Sequence, residues 1–540
     1  MVSRAIWKGV VRLEGEDVPV KLYSGVEDRS IHFRLLHQED RVPVEQEMVT
    51  ADTGEPVEYS EAIRAYPTEE GEFVILHPDE LEALEPEDSR DIEVERFIPS
   101  DALDHPWYDR PYYLGPDGDV EAYFALAEAL RRSGRTGIVE WVMRKRRYRG
   151  AIRPEMGYLM LFTLHSEDEI VSVEALEAPA GRDLSKNELK MARQLVDAMT
   201  EPFDAEDYEN EHRARVMELI EAKEAGEVVE FRKPRERKKE EDLSAALEAS
   251  LKSARPSLRM VDEDGTPLER RYSCPKHERE LAPDEIVRGY EVEKGRFVLV
   301  REDELEALEP EKSREIDLQR FVDRSELDPV LFNRAYFLTP STEATKPYRL
   351  LARVMEESGR AGIATFVMRG REHLVAILAD RGILRAETMR FNDEIRSAED
   401  VGLPGAAEPP EDHVKAILDA VEKRSADALD PDEIRDVWAD RLRALVKKKR
   451  KKHEDVVELP EEERESARGA RVIDIMEVLK RNLQGRDEEG GGSASGGTAG
   501  PPILAKNTKQ ELYDRAKALE IPGRSKMSKD ELVEAIRRAS

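Results

Sequence analysis

Arg144-Lys145-Arg146-Arg147-Tyr148-Arg149 puts five cations into six residues, directly after an apolar run at Ile138 to Met143. Like charges crowded into one tight turn repel, so folding alone gains nothing from them. A solvated loop tip would tolerate such a run, and a surface that contacts phosphates would use it. The corresponding stretch further on keeps Arg369 and Arg371 with His373. A basic strand-turn present twice, in a chain that is acidic elsewhere, favours the phosphate reading. Arg441 to Lys452 holds eight basic residues and no acidic one, ending Lys447-Lys448-Lys449-Arg450-Lys451-Lys452. The dipole of a helix C-terminus attracts cations, but only within its last turn, which accounts for about two or three of them. The rest point to DNA or to an acidic partner. Arg232 to Lys239 is a similar run, but Glu240, Glu241 and Asp242 follow it directly, so it reads as a charge-balanced linker.

Near the end of the chain, Thr508 with Glu511 and Ser528 with Glu531 form two capping boxes, each opening a helix. Ile521-Pro522-Gly523 separates the two helices. Lys509 stands in the first turn of one; Arg524 and Lys526 lead into the other, and Lys529 stands in its first turn. Cations there oppose the helix dipole and ask for an anion, and phosphate is one that helix N-termini bind. Leu512, Leu519, Met527, Leu532 and Ile536 supply a small core rather than a binding face.

Cys274-Pro275-Lys276-His277 has metal-ligand spacing but no second pair nearby in the sequence, and a tetrahedral zinc site needs four ligands. The aligned stretch Thr50 to Gly54 has neither Cys nor His. A turn without metal is therefore the expectation, and no cofactor is implied. Enzyme signatures are missing: there is no GxxxxGK[ST], no HExxH and no nucleophile elbow. Acidic pairs are uninformative among 118 carboxylates. Trp7, Trp107, Trp141 and Trp438 read as core or interface residues.

The elements that must position these residues occur twice. Asp79 to Glu87 recurs letter for letter at Asp303 to Glu311, and Arg64, Tyr66 and Gly71 return as Arg288, Tyr290 and Gly295. Ser133-Gly134-Arg135 returns as Ser358-Gly359-Arg360, and Asp168-Glu169-Ile170 as Asp393-Glu394-Ile395. So long a period excludes a solenoid, whose units run about 20–50 residues; a whole domain is duplicated. Each copy reads as an antiparallel strand meander, part of a barrel or curved sheet, followed by helices. The helices fall at Leu184 to Thr200, Asp207 to Ala225, His413 to Arg424 and Asp432 to Lys452, with short amphipathic segments at Asp242 to Leu251 and Asp474 to Leu483. The second copy starts near Leu258 and lacks the opening strands around Trp7 and Leu22. With 540 residues, 39% hydrophobic and 38% charged, the chain can bury two cores and keep wide solvated surfaces. Its net charge of −32 argues against a nucleic-acid partner unless cations cluster, as they do here. One cysteine and the lack of any long apolar stretch suit a reducing compartment and no membrane span.

Ile6-Trp7-Lys8-Gly9 before Val18 to Tyr23 resembles the opening of bacterial Ku proteins. So do Gly54-Glu55-Pro56-Val57 to Ala65-Tyr66, Ser89 to Val94, Asp109-Arg110-Pro111-Tyr112-Tyr113-Leu114, and the amphipathic motif Asp474 to Leu479. The C-terminal helix–loop–helix resembles a SAP module. The resemblance implies a mixed α/β, multi-domain fold: two Ku-type antiparallel β-barrel cores with helical C-terminal arms, plus a small SAP-like domain. The expected boundaries are 1–255 for the first core, 256–485 for the second, 486–502 for a Gly/Ser linker and 503–540 for the SAP-like module. It further implies a non-enzymatic clamp on double-stranded DNA ends that recruits a multifunctional ATP-dependent DNA ligase for non-homologous end joining. The family's homodimer would become a pseudo-dimer within one chain, unless two chains associate, and the location would be cytoplasmic and nucleoid-associated. The expected DNA contacts are Arg144, Lys145, Arg146, Arg147, Arg149, Arg369, Arg371, Lys447, Lys448, Lys449, Arg450, Lys509, Arg524, Lys526 and Lys529. A DNA-processing nuclease and a chromatin protein bound through the SAP-like tail are the competing readings.

Overall fold

The structure, a computed structural model, describes residues 4–226 and 258–458, apart from 52, 69–71, 172, 174, 175, 177, 263–265, 278, 311–315, 341–344, 369, 370, 431 and 432. Both amphipathic segments, the linker and the C-terminal helix–loop–helix lie outside these residues. The first repeat begins with β1 (Trp7–Leu13), β2 (Glu16–Ser24), β3 (Arg34–His37), β4 (Glu45–Thr50), β5 (Pro56–Val57), β6 (Ile63–Pro67) and β7 (Glu72–Leu76). It continues with α1 (Pro78–Glu82), β8 (Asp91–Pro99), β9 (Tyr108–Pro116), α2 (Val120–Ser133), β10 (Arg135–Met143), β11 (Arg146–Glu155), β12 (Tyr158–Leu164), α3 (Lys186–Ala198) and α4 (Glu211–Glu224). The second repeat begins with β13 (Arg259–Val261), β14 (Leu268–Cys274), β15 (Arg279–Glu280), β16 (Ile286–Glu293), β17 (Arg296–Val300) and α5 (Glu302–Leu308). After these come β18 (Asp317–Asp323), β19 (Phe332–Leu338), α6 (Lys346–Ser358), β20 (Arg360–Met368), β21 (Arg371–Asp380), β22 (Ile383–Met389), α7 (Glu411–Lys423), α8 (Val437–Lys452) and β23 (Val456–Glu458).

In the first repeat, alternation sets the strands. Val11 and Leu13 of β1 and Val18, Val20 and Leu22 of β2 point inward, and polar residues between them face out. Seven strands close into a barrel in the order β1-β2-β9-β12-β11-β10-β8. Helix α2 starts on the Asp119 cap and stops at Gly134, whose φ of 63° suits glycine. Tyr123 pins α2 to the barrel by donating to the Leu114 carbonyl at 2.6 Å and accepting from the Leu159 amide at 2.9 Å.

The second repeat gives an open sheet, β18-β20-β21-β22-β19, with the same strand sequence minus the first two. The expectation of two barrels is corrected here: without counterparts of β1 and β2, no strand among the described residues joins β18 to β19. Tyr348 repeats the tyrosine pin, bonding the Leu338 carbonyl at 2.8 Å and the Leu384 amide at 2.6 Å.

The repeats do not fold side by side. Strand β3 of the first pairs with β16 of the second, β13 of the second pairs with β6 of the first, and β4 pairs with β14 between them. The helical arms cross over as well. From the first repeat, α3 packs on α6, and α4 on α5 and β17; from the second, α7 packs on α2, and α8 on β7. Val414, Ile417 and Val421 of α7 are buried in the first repeat's core, where a fully buried aliphatic side chain contributes about 1.5–3 kcal/mol. The duplicated Asp79 to Glu87 motif is the receptor for these arms. Leu81 and Leu84 pack against Leu442 and Val446 of α8, and Leu305 and Leu308 against Val216, Leu219 and Ile220 of α4. Glu80 accepts from Lys449 at 2.6 Å, and its counterpart Glu304 accepts from Lys223.

Two outcomes test these clasps. Lys449 is buried against the Ile75 carbonyl (2.8 Å), Glu80 and Asp455 (2.7 Å), so Lys449→Met should destabilise by about 1–3 kcal/mol, less than a fully buried pair because its partners are part-exposed. The exposed Lys447→Met should stay within about 0.5 kcal/mol; urea midpoints compare the two. Glu188 caps α3 and pairs with Lys346 of α6; the lysine first, then the Ser185 bonds, hold its carboxyl down at about 2. A depressed folded value stabilises above the ordinary value of 4.5, and that contribution disappears as pH falls toward 2. Wild type should therefore lose more stability than Glu188→Gln across that window, as acid denaturation would show.

Candidate nucleic-acid interface

The basic run of the first repeat is a hairpin. Met143 pairs with Arg146, leaving Arg144 and Lys145 as a two-residue turn with φ of 50° and 61°. Both angles are left-handed, which suits the twist of a hairpin and ordinarily selects Asn-Gly. The chain uses the ordinary solution elsewhere: the turns Met156-Gly157 and Arg381-Gly382 have glycine second, at φ of 84° and 76°. Here it holds two long cations at a conformational cost of roughly 1–2 kcal/mol each. Trp141, 1% exposed, anchors the hairpin by stacking on Tyr148 at 5.4 Å. Gly150 leaves room for that ring, since a Cβ there would sit 2.6 Å from the indole.

Most of the hairpin's cations have carboxylate partners, some within the hairpin itself and some from other segments. Lys145 pairs with Glu85 at 2.7 Å, Arg147 with Glu140 at 2.5 Å, and Arg149 with Glu95 at 2.7 Å and Glu140 at 3.2 Å. Arg146 lies over the Trp438 ring at 5.9 Å, which joins the hairpin to the first turn of α8. Arg144 is exposed and has no charged partner among the described residues. It lines an open groove of about 530 Å³ with Trp7, Lys8, Asp88, Ser89, Arg90 and Val142. The sequence reading missed Arg90, which stands before β8 and faces the same groove; only its place beside Ser89 in a Ku-like motif signalled it.

In the second repeat Arg371 is exposed at the start of β21, and Arg369 lies outside the described residues. His373 does not extend the charge. Burial first, then the cations Arg371 and Arg334, push its imidazole below the ordinary range, and it stacks on Phe366 at 5.5 Å.

On α8 the lysines divide by face. Lys447 and Lys448 are exposed, about 14 Å of helix beyond Trp438. Lys449 is 2% exposed, a buried clasp rather than a contact for an external phosphate, so that expectation is corrected. Arg450 is part-buried against Glu72 at 3.1 Å. Lys509, Arg524, Lys526 and Lys529 lie outside the described residues.

Among the described residues the geometry leaves a few open cations along a strand-turn and a helix, with no buried catalytic constellation beside them. Two stretches, residues 14–191 and 246–416, match the family profile described as the Ku70/Ku80 beta-barrel domain. Residues 504–540 match the profile of the Rho termination factor N-terminal domain, where the sequence resembles a SAP module. The non-homologous end joining protein Ku 2 of Geotalea uraniireducens is 40% identical over 254 residues, which is 47% of this chain and 99% of that protein. The Ku proteins of Anaeromyxobacter sp. and Koribacter versatilis are 34% and 32% identical, over 50% and 49% of this chain and 93% of each relative. One whole relative thus corresponds to about half of this chain.

Replacing the turn with its favoured residues separates folding from binding. Arg144→Asn with Lys145→Gly should leave stability equal or raise it by up to about 1 kcal/mol, because relief of the left-handed strain exceeds the cost of removing one exposed ion pair. Affinity for a short DNA duplex should fall, with the salt slope shallower by about one for each phosphate no longer neutralised. Thermal denaturation and titration at several salt concentrations measure both.

Proposed function

The chain belongs to the Ku family, and on that premise we propose that it closes a clamp around double-stranded DNA ends, its two repeats taking the places of two subunits. The relatives it matches are named as non-homologous end joining proteins, so end binding in that repair route is the activity supported. What carries the single-chain reading is the reciprocal exchange of strands and arms between the repeats. Each repeat covers the other's edges and cores as two protomers of a dimer would.

Phosphate contact without base reading suits a clamp that must accept any end. Arg90, Arg144, Arg371, Lys447 and Lys448 are its proposed contacts. Lys145, Arg146, Arg147, Arg149 and Arg450, already partnered, would shape the field around them. Arg369 and the tail cations Lys509, Arg524, Lys526 and Lys529 are proposed as further contacts, the tail acting as a tethered module that raises effective concentration. A multifunctional ATP-dependent DNA ligase is the proposed recipient of the held end, and the chain itself a scaffold without catalytic residues. Among the described residues no helix is long and apolar enough to cross a membrane.

Two measurements decide this. Light scattering should give a mass near 61.6 kDa for the free protein and one chain per end on a short duplex. A mass near twice that on each end would remove the pseudo-dimer. Linear DNA should bind well and covalently closed circles poorly; equal affinity for both would refute threading.

A further inference from the structure

The exchange of strands assembles a constellation that neither repeat holds alone. His37 ends β3 and Asp40 sits in the turn after it; Cys274 ends β14 and His277 closes the next turn. The sequence offers Cys274 and His277 no neighbouring pair, but the fold brings His37 and Asp40 to them from the other repeat. One ligand atom from each of the four lies within 4.8 Å of the others. Each pair has i, i+3 spacing on a tight turn, a spacing common among zinc ligands.

The separations fit a metal better than a hydrogen-bond network. Cys274 Sγ lies 3.4 Å from His277 Nδ1 and 3.9 Å from His37 Nδ1, and His277 Nδ1 lies 3.6 Å from Asp40 Oδ2. Bonds of about 2.0–2.3 Å to a tetrahedral zinc put ligand atoms roughly 3.3–3.8 Å apart. A nitrogen–oxygen hydrogen bond is shorter than 3.6 Å. Only the His37–Asp40 contact is tighter than a tetrahedral edge and must open. Cys274 is fully buried and His37 is 1% exposed, with its Nε2 lacking any hydrogen-bond partner. The cation Lys276 reaches Asp40 Oδ2 at 3.0 Å, but it is half-exposed and can swing into solvent.

The pseudo-equivalent corner supplies the contrast. Thr50 and Thr53 stand at the positions of Cys274 and His277, and Asp262 at that of His37, since Val261 pairs with Ile63 as Leu36 pairs with Val287. Thr50 and Thr53 bond through their hydroxyls at 2.5 Å, and Asp262 accepts from the Thr266 amide at 2.8 Å. A corner with neither thiol nor imidazole therefore folds, and the sulfur–imidazole set at the other needs a different reason.

We propose that Cys274, His277, His37 and Asp40 bind one zinc-type divalent cation, which ties the turn after β3 to the turn after β14 and so fastens the two repeats. On binding, the Cys274 thiol gives its proton to solvent, and the imidazoles coordinate as neutral groups. With four protein ligands the site is closed and structural rather than catalytic.

The test uses the full chain without DNA. Elemental analysis should find about one zinc per chain, as a single four-ligand site requires. Cobalt(II) exchanged for zinc should give a thiolate-to-metal charge-transfer band and intense tetrahedral visible bands. Cys274→Ser should abolish the charge-transfer band and weaken metal affinity by more than about 100-fold, beyond the cost of altering an outer-shell group. Thr50→Ser, at the equivalent corner, should change neither. Should Cys274→Ser fail to fold, His277→Ala and a chelator test on wild type replace it: chelation should lower the melting midpoint and added zinc should restore it. Absence of the charge-transfer band in wild type, equal zinc content in the variants, or a midpoint indifferent to chelator would each overturn the site and leave a metal-free hydrogen-bonded cluster.

Discussion

Every part of this molecule depends on one constraint: each repeat leaves strand edges and apolar faces that only the other repeat covers. Backbone groups at a strand edge are costly to leave unpaired when buried. Here β3 finds its partner in β16 and β6 finds one in β13, so the two repeats satisfy each other's ladders. The helical arms repeat the principle with side chains, Ile417 entering one core and Val196 another. Neither repeat is therefore a self-sufficient domain, and the described residues of 4–226 and 258–458 belong to one compact unit. Joining the repeats in one chain makes the exchange intramolecular, so it does not weaken on dilution as a dimer would.

The two halves differ in a systematic way. Features that hold the exchange together are kept in both: Glu80 and Glu304 receive arm lysines, Tyr123 and Tyr348 pin a helix, and Leu84 and Leu308 pack an arm. Features not needed for the exchange have diverged. One sheet closes and the other stays open; one corner carries Cys274 and His277 where the other carries threonines; one hairpin is crowded with arginine. A buried polar cluster follows the same asymmetry at the junction of the halves. Arg385, 3% exposed, bonds Glu387 at 2.6 Å and Asp104 of the first repeat at 2.9 Å, while His105 stacks on Phe332 at 4.3 Å. Its counterpart by repeat is Met160, which packs in an apolar cluster instead.

What was legible in the sequence was local or repeated. The helices expected at Leu184 to Thr200, Asp207 to Ala225, His413 to Arg424 and Asp432 to Lys452 and the Gly134 cap follow from patterns within a short window, and the structure has them within a few residues. What was not legible depends on partners far away in the chain. The count of cations in Arg144 to Arg149 overstates the available charge because Glu85 arrives from the loop after α1, Glu95 from β8 and Glu140 from across the hairpin. Lys449 looks like its exposed neighbours in sequence, but helical spacing turns it inward onto Glu80 and Asp455. Cys274 and His277 appear unpartnered because His37 and Asp40 belong to the other repeat. The closed barrel expected twice occurs once among the described residues, because the second repeat has no counterparts of β1 and β2.

The scarcity of open cations among the described residues bears on how the proposed clamp would hold DNA. Electrostatic affinity grows with the number of phosphates neutralised, and a handful of contacts gives weak binding at physiological salt. A chain of net charge −32 adds long-range repulsion to that deficit. Residence of the proposed clamp on an end would then rest less on contact strength than on closure, since a ring that encircles the duplex is released only through the end or by opening. Opening here means separating β3 from β16 and β6 from β13 and withdrawing buried arm helices, which expose extensive apolar surface together. The exchange that makes the chain fold is thus also what would make a weakly charged clamp persistent, and the low positive charge leaves it free to slide inward from the end it entered.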